Sequence, residues 1–388
     1  MEKIKRLRKL FKIFNLDGYI VPKNDEYFGE NTPFVKDRLK YISNFSGSYG
    51  FAIILKNKSF LFVDGRYSLQ AKMQSGKNFN IITLPNTFSF DIFKKKKLKI
   101  GFDPMLHTKQ DLKRISKKYF CQLLPVDQNL IDRIWARKKH YNTKKFYVLP
   151  NKVVGKYYKY KINKLIKILQ KSKVDFQFIS SGENIAWLLN IRGHDSEFSP
   201  TINAYLTIDL KKKLYLFCDL KKVDYSFKKK FKDINFIDTK YLNLFLSKIE
   251  KKRVLIDPKS CSFFFENIIE KNNLIKYSDP IYALKSIKSK TEIKNIIKSH
   301  ILDGAALTKF LFWLKENYIK RNISEIDAEE KLLEFRKQNK NFKFLSFPTI
   351  SGSGPNGAII HYRANKKSNR VLQKGDIYLI DSGGQYNF

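Results

Sequence analysis

The chain has 388 residues, of which 43% are hydrophobic and 15% aromatic, enough to bury two or three cores, so an intrinsically disordered protein is excluded. The formal charge is +40, but the lysines are spread along the chain, and runs such as Lys94–Lys97, Lys211–Lys213 and Lys228–Lys230 flank strand-like segments as solvated loops do. A dedicated nucleic-acid module is therefore not expected. Cys121, Cys218 and Cys261 are far apart and form no Cys-x-x-Cys pair, which favours a reducing compartment, and no apolar run reaches bilayer length.

Ile4, Leu7, Leu10, Phe11 and Phe14 recur at helical spacing, which predicts an N-terminal helix with one buried face. Charges interrupt its apolar residues, so neither a secretion signal nor a membrane-surface helix is expected. Asp17-Gly18 and Tyr19-Ile-Val21 follow as turn and strand. This helix-turn-strand unit recurs as Tyr160–Gln170 followed by Val174-Asp-Phe-Gln-Phe-Ile179. Three further segments repeat in the same order, offset by about 150 residues. Tyr41-Ile-Ser-Asn-Phe-Ser-Gly47 corresponds to Trp187-Leu-Leu-Asn-Ile-Arg-Gly193, Phe60-Leu-Phe-Val-Asp64 to Leu214-Tyr-Leu-Phe-Cys-Asp219, and Ile100-Gly-Phe-Asp-Pro104 to Leu255-Ile-Asp-Pro258. The expectation is two copies of one α/β domain, residues 1–140 and 141–283, each a mixed sheet with flanking helices.

A third region, 284–388, opens with a helical pattern whose apolar stripe comprises Ile293, Ile296, Ile297, Leu302, Ala305, Ala306, Phe310 and Leu314. Ser324 can cap a second helix, with Asp327 at the capping-box position and Leu332, Leu333 and Phe335 facing inward. After Asn341 the pattern changes to short strands separated by Gly and Pro, the start of an α+β layer arrangement. Ala358–Tyr362 reads as a strand that puts His361 on the same face as Ile359. Ile377–Ile380 reads as a buried strand ending on Asp381, just before the Ser382-Gly383-Gly384 turn. A buried carboxylate there needs a metal, a cation or a ring of donors. Taken singly, Asp381 fits a turn cap and His361 a hydrogen-bonded core histidine. Gly352, Gly354 and Gly357 do not form a phosphate loop, because no Lys-Ser/Thr and no helix follow them.

Three segments in order, Ser346-Phe-Pro-Thr-Ile350, Gly354-Pro-Asn-Gly-Ala-Ile-Ile-His-Tyr362 and Leu379-Ile-Asp-Ser-Gly-Gly-Gln-Tyr386, resemble the start of the catalytic domain of the Xaa-Pro aminopeptidases (aminopeptidase P, metallopeptidase family M24). Val63-Asp-Gly-Arg-Tyr67, Ile185–Gly193 and His300–Ala306 are similar to further segments of the family, so the resemblance covers the whole chain and is closest to its long, three-domain form. It implies two creatinase-like N-terminal domains followed by the beginning of a pita-bread catalytic domain. It also implies metal-dependent release of the residue preceding proline by a homodimer, and with the charge pattern, apolar runs and cysteines above the expectation is a cytoplasmic protein with no membrane partner and no specific nucleic acid. In that scheme Asp381 is the first of five ligands, two Asp, one His and two Glu, that hold two divalent ions, usually manganese; carboxylates and an imidazole suit Mn(II), and paired ions can activate a hydroxide and polarise a carbonyl. His361 hydrogen-bonds the substrate near the scissile peptide. The other four ligands fall beyond Phe388, so the expectation is that these 388 residues hold no catalytic metal stably and are inactive, while the parent product is a peptidase.

Arg38 and Arg66, the latter in Asp64-Gly-Arg-Tyr67, are candidates for a substrate entrance, against a structural Asp-Arg pair. Trp187 is expected to pack, Arg192 to pair with Asp195, and His300 to cap or be solvated, while His107, His140 and His194 have no companions at ligand spacing. Alternatives are a non-catalytic binding module that keeps the fold without metal, and a prolidase or creatinase within the same superfamily.

Overall fold

Residues 2–85, 97–119, 121–137 and 142–387 are described by the computed structural model; Met1, Lys94–Lys96 and His140 lie outside them. The chain divides into two compact units, one formed by Met1–Val148 with Tyr157–Ile287 and the other by Leu149–Lys156 with Lys288–Phe388.

The first unit contains two six-stranded mixed sheets. The first sheet has the order β4-β3-β2-β1-β5-β6, built from β1 (Gly18–Pro22), β2 (Phe51–Leu55), β3 (Ser59–Asp64), β4 (Asn80–Leu84), β5 (Lys99–Phe102) and β6 (Gln122–Pro125). Its strands read as unbroken apolar runs because both faces are covered. Tyr19, Val21, Ala52, Ile54, Leu61 and Val63 face one core, which the helix Glu2–Ile13 completes with Ile4, Leu7 and Phe11. Ile20, Ile53, Phe60 and Phe62 face the other, with Leu112 and Ile115 of the helix Lys109–Tyr119.

After the short β7 (Tyr147–Val148), which pairs with β9 (Ile191–Arg192), the second sheet repeats this topology. Its order is β12-β11-β10-β8-β13-β14, built from β8 (Phe176–Ile179), β10 (Ala204–Asp209), β11 (Leu214–Cys218), β12 (Ile234–Asp238), β13 (Arg253–Ile256) and β14 (Asn273–Lys276). The repeated aspartates do the same work in both copies. Asp17 accepts from Lys99 N–H at 3.0 Å and Asp175 from Arg253 N–H at 2.8 Å, each tying one strand start to the next. Asp64 and Asp219 cap the short turns after β3 and β11, and Asp103 and Asp257 cap those after β5 and β13. Asn44 and Asn190 end equivalent helices in the left-handed conformation, φ 65° and 58°, which Asn tolerates. The copies meet where Tyr27 stacks on Tyr205 at 5.2 Å, Tyr205 Oη donates to Glu26 O, and Phe102 packs edge-on against Phe263.

The second unit pairs the helix Lys290–Asn317 with the helix Glu325–Lys337 around Phe310, Leu314, Ala328 and Leu332. Ser289 with Glu292 and Ser324 with Asp327 form capping boxes. Only the second half of the expected stripe is covered: Ala306, Phe310 and Leu314 are buried, whereas Ile293, Ile296 and Ile297 are exposed. The second helix packs from Ala328 to Arg336 against the later turns of the first, whose opening turns meet Lys152 and Val153 through Asn295 and leave these isoleucines exposed. No described helix is long and apolar enough to cross a membrane.

His107 is buried in the first unit with Nε2 unpaired, and burial alone pushes its pKa down to about 3. The unfolded imidazole takes up its proton near pH 6.5, so stability is full above that pH and falls as pH drops from 6.5 towards 3. A single proton corresponds to about 1.4 kcal/mol per pH unit, so the native chain should lose about 2 kcal/mol between pH 7 and 5 that a His107→Gln chain does not. Urea midpoints of both proteins at the two pH values check this; parallel losses would assign the effect to other groups. Leu165→Ala, at a fully buried helix position, should cost about 2–5 kcal/mol in the same assay, and the exposed Leu244→Ala less than about 0.5.

Candidate active site

The second unit ends in one interrupted antiparallel ladder. β15 (Phe342–Leu345) pairs with β18 (Gly384–Tyr386), and β16 (Ile350–Ser353) with β17 (Tyr378–Asp381). Leu345 is opposite Gly384 and Ile350 opposite Asp381, so the Ser346-Phe-Pro-Thr349 side spends more residues than the Ser382-Gly383 side. The result is a bulge, a feature that re-aims side chains beside functional sites. Ser346 N–H donates to Gly383 O at 3.0 Å across it, and a Cβ on Gly383 would lie 2.5 Å from Ser346 Oγ, so a side chain there would displace the Ser346 hydroxyl.

Asp381 is the last residue of β17, at the mouth of this bulge, and it is exposed. That corrects the expected buried strand: Ile377 lies outside β17 and is 83% exposed, and Leu379 is 40% exposed. The strand pairs only with β16 among the described residues, so an apolar run that suits two-sided burial is covered on one side.

The strand expected over Ala358–Tyr362 is also absent. Gly354, at φ +54°, starts a tight helical turn over Gly354–Ala358, and Tyr362 N–H bonds back to Ile359 O, leaving His361 exposed at a turn with φ +56°. A non-glycine residue in that region costs of order 1–3 kcal/mol and persists only where its surroundings impose it. They do so through Glu325, at the start of the helix Glu325–Lys337 and fully buried. Its carboxylate accepts from Ser353 N–H at 2.7 Å, Asn356 Nδ2 at 3.0 Å, Tyr362 Oη at 2.9 Å and Arg370 N–H at 3.1 Å. One anion thus fastens the end of β16, the turn and the residue after His361. Burial, with a smaller contribution from Glu325, raises the Tyr362 pKa. Arg363 Nη1 donates to Thr349 O at 2.6 Å, one residue before the Ile350 that faces Asp381. The segments carrying His361 and Asp381 are therefore joined through Thr349-Ile350.

A second anchor joins β18 to the helices. Buried Arg336 makes two bonds to Asp303, at 2.8 and 2.9 Å, and Tyr386 Oη donates to the same carboxylate at 2.8 Å. The sequence reading missed Glu325, Asp303 and Arg336 as positioning residues. Asp303 lies inside the His300–Ala306 segment and could have been found there; Glu325 follows a capping serine, where an acid reads only as a helix-dipole residue.

The other candidates are scattered. Arg38 is 3% exposed, and its guanidinium holds Asp132 at 2.8–2.9 Å and Glu26 at 2.7 Å. Burial opposes ionisation of Glu26, but Lys36 and Arg38 outweigh it and hold the carboxyl at about 2. Arg66 is exposed and folds back on Asp64 at 2.7 Å. The expected Arg192–Asp195 pair is corrected: Asp195 is bound by Lys222, and Arg192 donates to the Ala186 and Ile191 carbonyls, because the turn after β9 points the two side chains to different partners. Trp187 packs on the core under the Lys161 ammonium, 4.0 Å above its ring. His300 is exposed within the helix Lys290–Asn317, not at a cap. Among the described residues no group of three or more His, Cys, Asp or Glu could hold a metal ion, so Asp381 offers a single carboxylate and the residues present do not by themselves fit a dinuclear centre.

The fold and this site define a class: creatinase/prolidase N-terminal domains, matched at residues 3–134 and 137–292, ahead of a domain of metallopeptidase family M24, matched at 294–388. A probable Xaa-Pro aminopeptidase P of Laccaria bicolor is 33% identical over 99% of this chain and 62% of its own length. One from Paracoccidioides brasiliensis is 33% identical over 99% and 67%, and the Xaa-Pro aminopeptidase ApepP of Drosophila melanogaster 33% over 96% and 63%. The crystal structure of the Caenorhabditis elegans X-prolyl aminopeptidase, described as a cytosolic enzyme with a di-nuclear active site, superposes with a TM-score of 0.92 at 25% identity, over 100% of this chain and 68% of that one. The chain belongs to the Xaa-Pro aminopeptidase P family and spans about two thirds of the length of these relatives.

If Glu325 locks the turn, Glu325→Gln should destabilise the second unit by about 1–3 kcal/mol, since an amide turns one acceptor into a donor facing donors. It should also speed chymotryptic cleavage after Tyr362, whereas the exposed Glu330→Gln should change neither; equal behaviour of the two variants would remove Glu325 from its positioning role.

Proposed function

We propose that this chain provides the substrate-binding and part of the metal-binding apparatus of an Xaa-Pro aminopeptidase, which hydrolyses the peptide bond before a proline at position two. The observation that carries the reading is the bulge that places Asp381 opposite Ile350, with Thr349 tied to the segment carrying His361. The names of the relatives support the same chemistry.

The scissile amide precedes proline and has no N–H, so recognition depends on the free terminal amine, the carbonyl oxygen and the ring. His361, exposed on a strained turn that Glu325 and Arg363 hold, is the group assigned to hydrogen-bond near that carbonyl. Asp381 is assigned as one carboxylate ligand of a pair of divalent ions, Mn(II) in our reading, which supply the activated water when bound. One carboxylate is too few to retain such ions. Arg38 and Arg66, engaged with carboxylates of their own, are not assigned to substrate. A cytoplasmic homodimer completes the proposal.

Four measurements test it. Reading the coding DNA past the Phe388 codon should continue in frame to an Asp, a His and two Glu at family spacing; a stop codon there would sink the enzymatic reading in favour of a binding module. In the product of that frame, Asp381→Asn should abolish chelator-sensitive release of the first residue from an Xaa-Pro peptide. His361→Ala should lower kcat by about 10²–10³ with metal content unchanged. The 388 residues alone should show no saturable Mn(II) titration by calorimetry, and a stoichiometric isotherm would contradict the incomplete ligand set.

A further inference from the structure

Lysine runs that are far apart in the chain converge at one end of the second sheet. β8, β11, β12, β13 and β14 start there, and antiparallel β10 ends there, as the pairs Phe176–Asp209, Leu214–Ile234, Phe176–Val254 and Arg253–Asn273 require. Every one of these strand ends is preceded or followed by exposed lysine. Lys228–Lys230 and Lys232 lead into β12, and Lys211–Lys213 form the β10–β11 turn. Lys171 and Lys173 lead into β8, Lys251 and Lys252 into β13, and Lys271 into β14. Backbone bonds lash neighbouring clusters together: Asp175 N–H to Arg253 O at 2.9 Å, and Asn273 N–H to Lys252 O at 3.0 Å.

The carboxylates at this end are fewer and already engaged. Asp175 and Asp209 accept the Arg253 and Lys213 backbone N–H groups, Asp233 takes the Tyr158 hydroxyl, and Glu250 pairs with Lys271. The opposite end is where Asp219, Asp238 and Asp257 cap their turns. That end also carries exposed Lys221, Lys240 and Lys259, so what sets the first end apart is the arrangement of its lysines in a row as long as the sheet is wide, roughly 24 Å at ordinary strand spacing.

We propose that this lysine row is a sequence-independent binding surface for the phosphodiester backbone of nucleic acid. A row suits a linear polyanion. Lysine ammoniums are point charges suited to phosphate without base readout. The hydrophobic residues within these segments, Phe231 and Ile249, are buried or half-buried, so there is no apolar anchor for a membrane surface. The inference is independent of the peptidase assignment, since none of its residues lies near β16 or β17 in sequence or belongs to the second unit.

The test is fluorescence anisotropy with a labelled duplex of about 24 base pairs, titrated at several salt concentrations around 100 mM. The native chain should bind with a steep negative dependence of log K on log salt. The triple variant Lys211→Glu, Lys212→Glu, Lys213→Glu should bind at least tenfold more weakly, with a slope smaller by about 3. A control with the same charge change in exposed loops of the second unit, Lys366→Glu, Lys367→Glu, Lys374→Glu, should lose less than about twofold. The corresponding Lys→Gln triple, with circular dichroism on all variants, separates lost charge from lost fold; it should lose affinity less than the Glu triple and more than the control. Equal losses in strip and control variants would reduce the effect to net charge and overturn the proposal. So would tighter, strip-dependent binding to phosphatidylserine vesicles than to the duplex, or no saturable binding at all.

Discussion

The segment carrying His361 depends on a single buried anion. Glu325 has no exposure, and a carboxylate in that position is tolerated only because donors from β16, the Gly354–Ala358 turn, Tyr362 and Arg370 converge on it. Without it the Ser353 and Arg370 N–H groups would lose their acceptor, at about 1–3 kcal/mol each, whereas Asn356 Nδ2 and Tyr362 Oη also donate to Ser368 O. That mutual need converts a glycine-rich stretch with little packing of its own into a fixed turn and holds His361 in a conformation it would not choose. Asp303 with Arg336 and Tyr386 does the corresponding work for β18.

The N-terminal sheets show how one topology can be written twice with different side chains. Strand order, the capping aspartates after β3 and β11 and after β5 and β13, and the left-handed asparagines at helix ends are retained. What is free to vary is the solvated loop chemistry. In the second copy that freedom places exposed lysine beside the ends of all six strands at one edge of the sheet, with no change in the core.

Much of the fold was legible because it follows local rules. Helical spacing located Ile4, Leu7 and Phe11, the repeated Asp and Asn positions exposed the duplication, and Ser324 with Asp327 marked a helix start. The site was legible only as motif. Spacing could not show that His361 sits on a turn, since the strand pattern of Ala358–Tyr362 is overridden by a left-handed Gly354 and by a carboxylate distant in sequence. Nor could it show that Asp381 is exposed, because apolar runs report the burial a strand is suited to, and β17 is covered on one side.

The sequence by itself determined the duplicated α/β domain, the Ser324 helix start and the family, since these rest on periodicity, on repeated motifs and on a side chain that bonds to its own backbone a few residues away. Tertiary structure alone decided which charges meet. Arg38 is enclosed by Glu26 and Asp132, Asp195 is taken by Lys222, Glu325 gathers four distant groups, and lysines from five chain segments form one row. The reason is that a Coulombic or hydrogen-bonded contact depends on separation in space, and strand pairing brings together residues that no window along the chain contains.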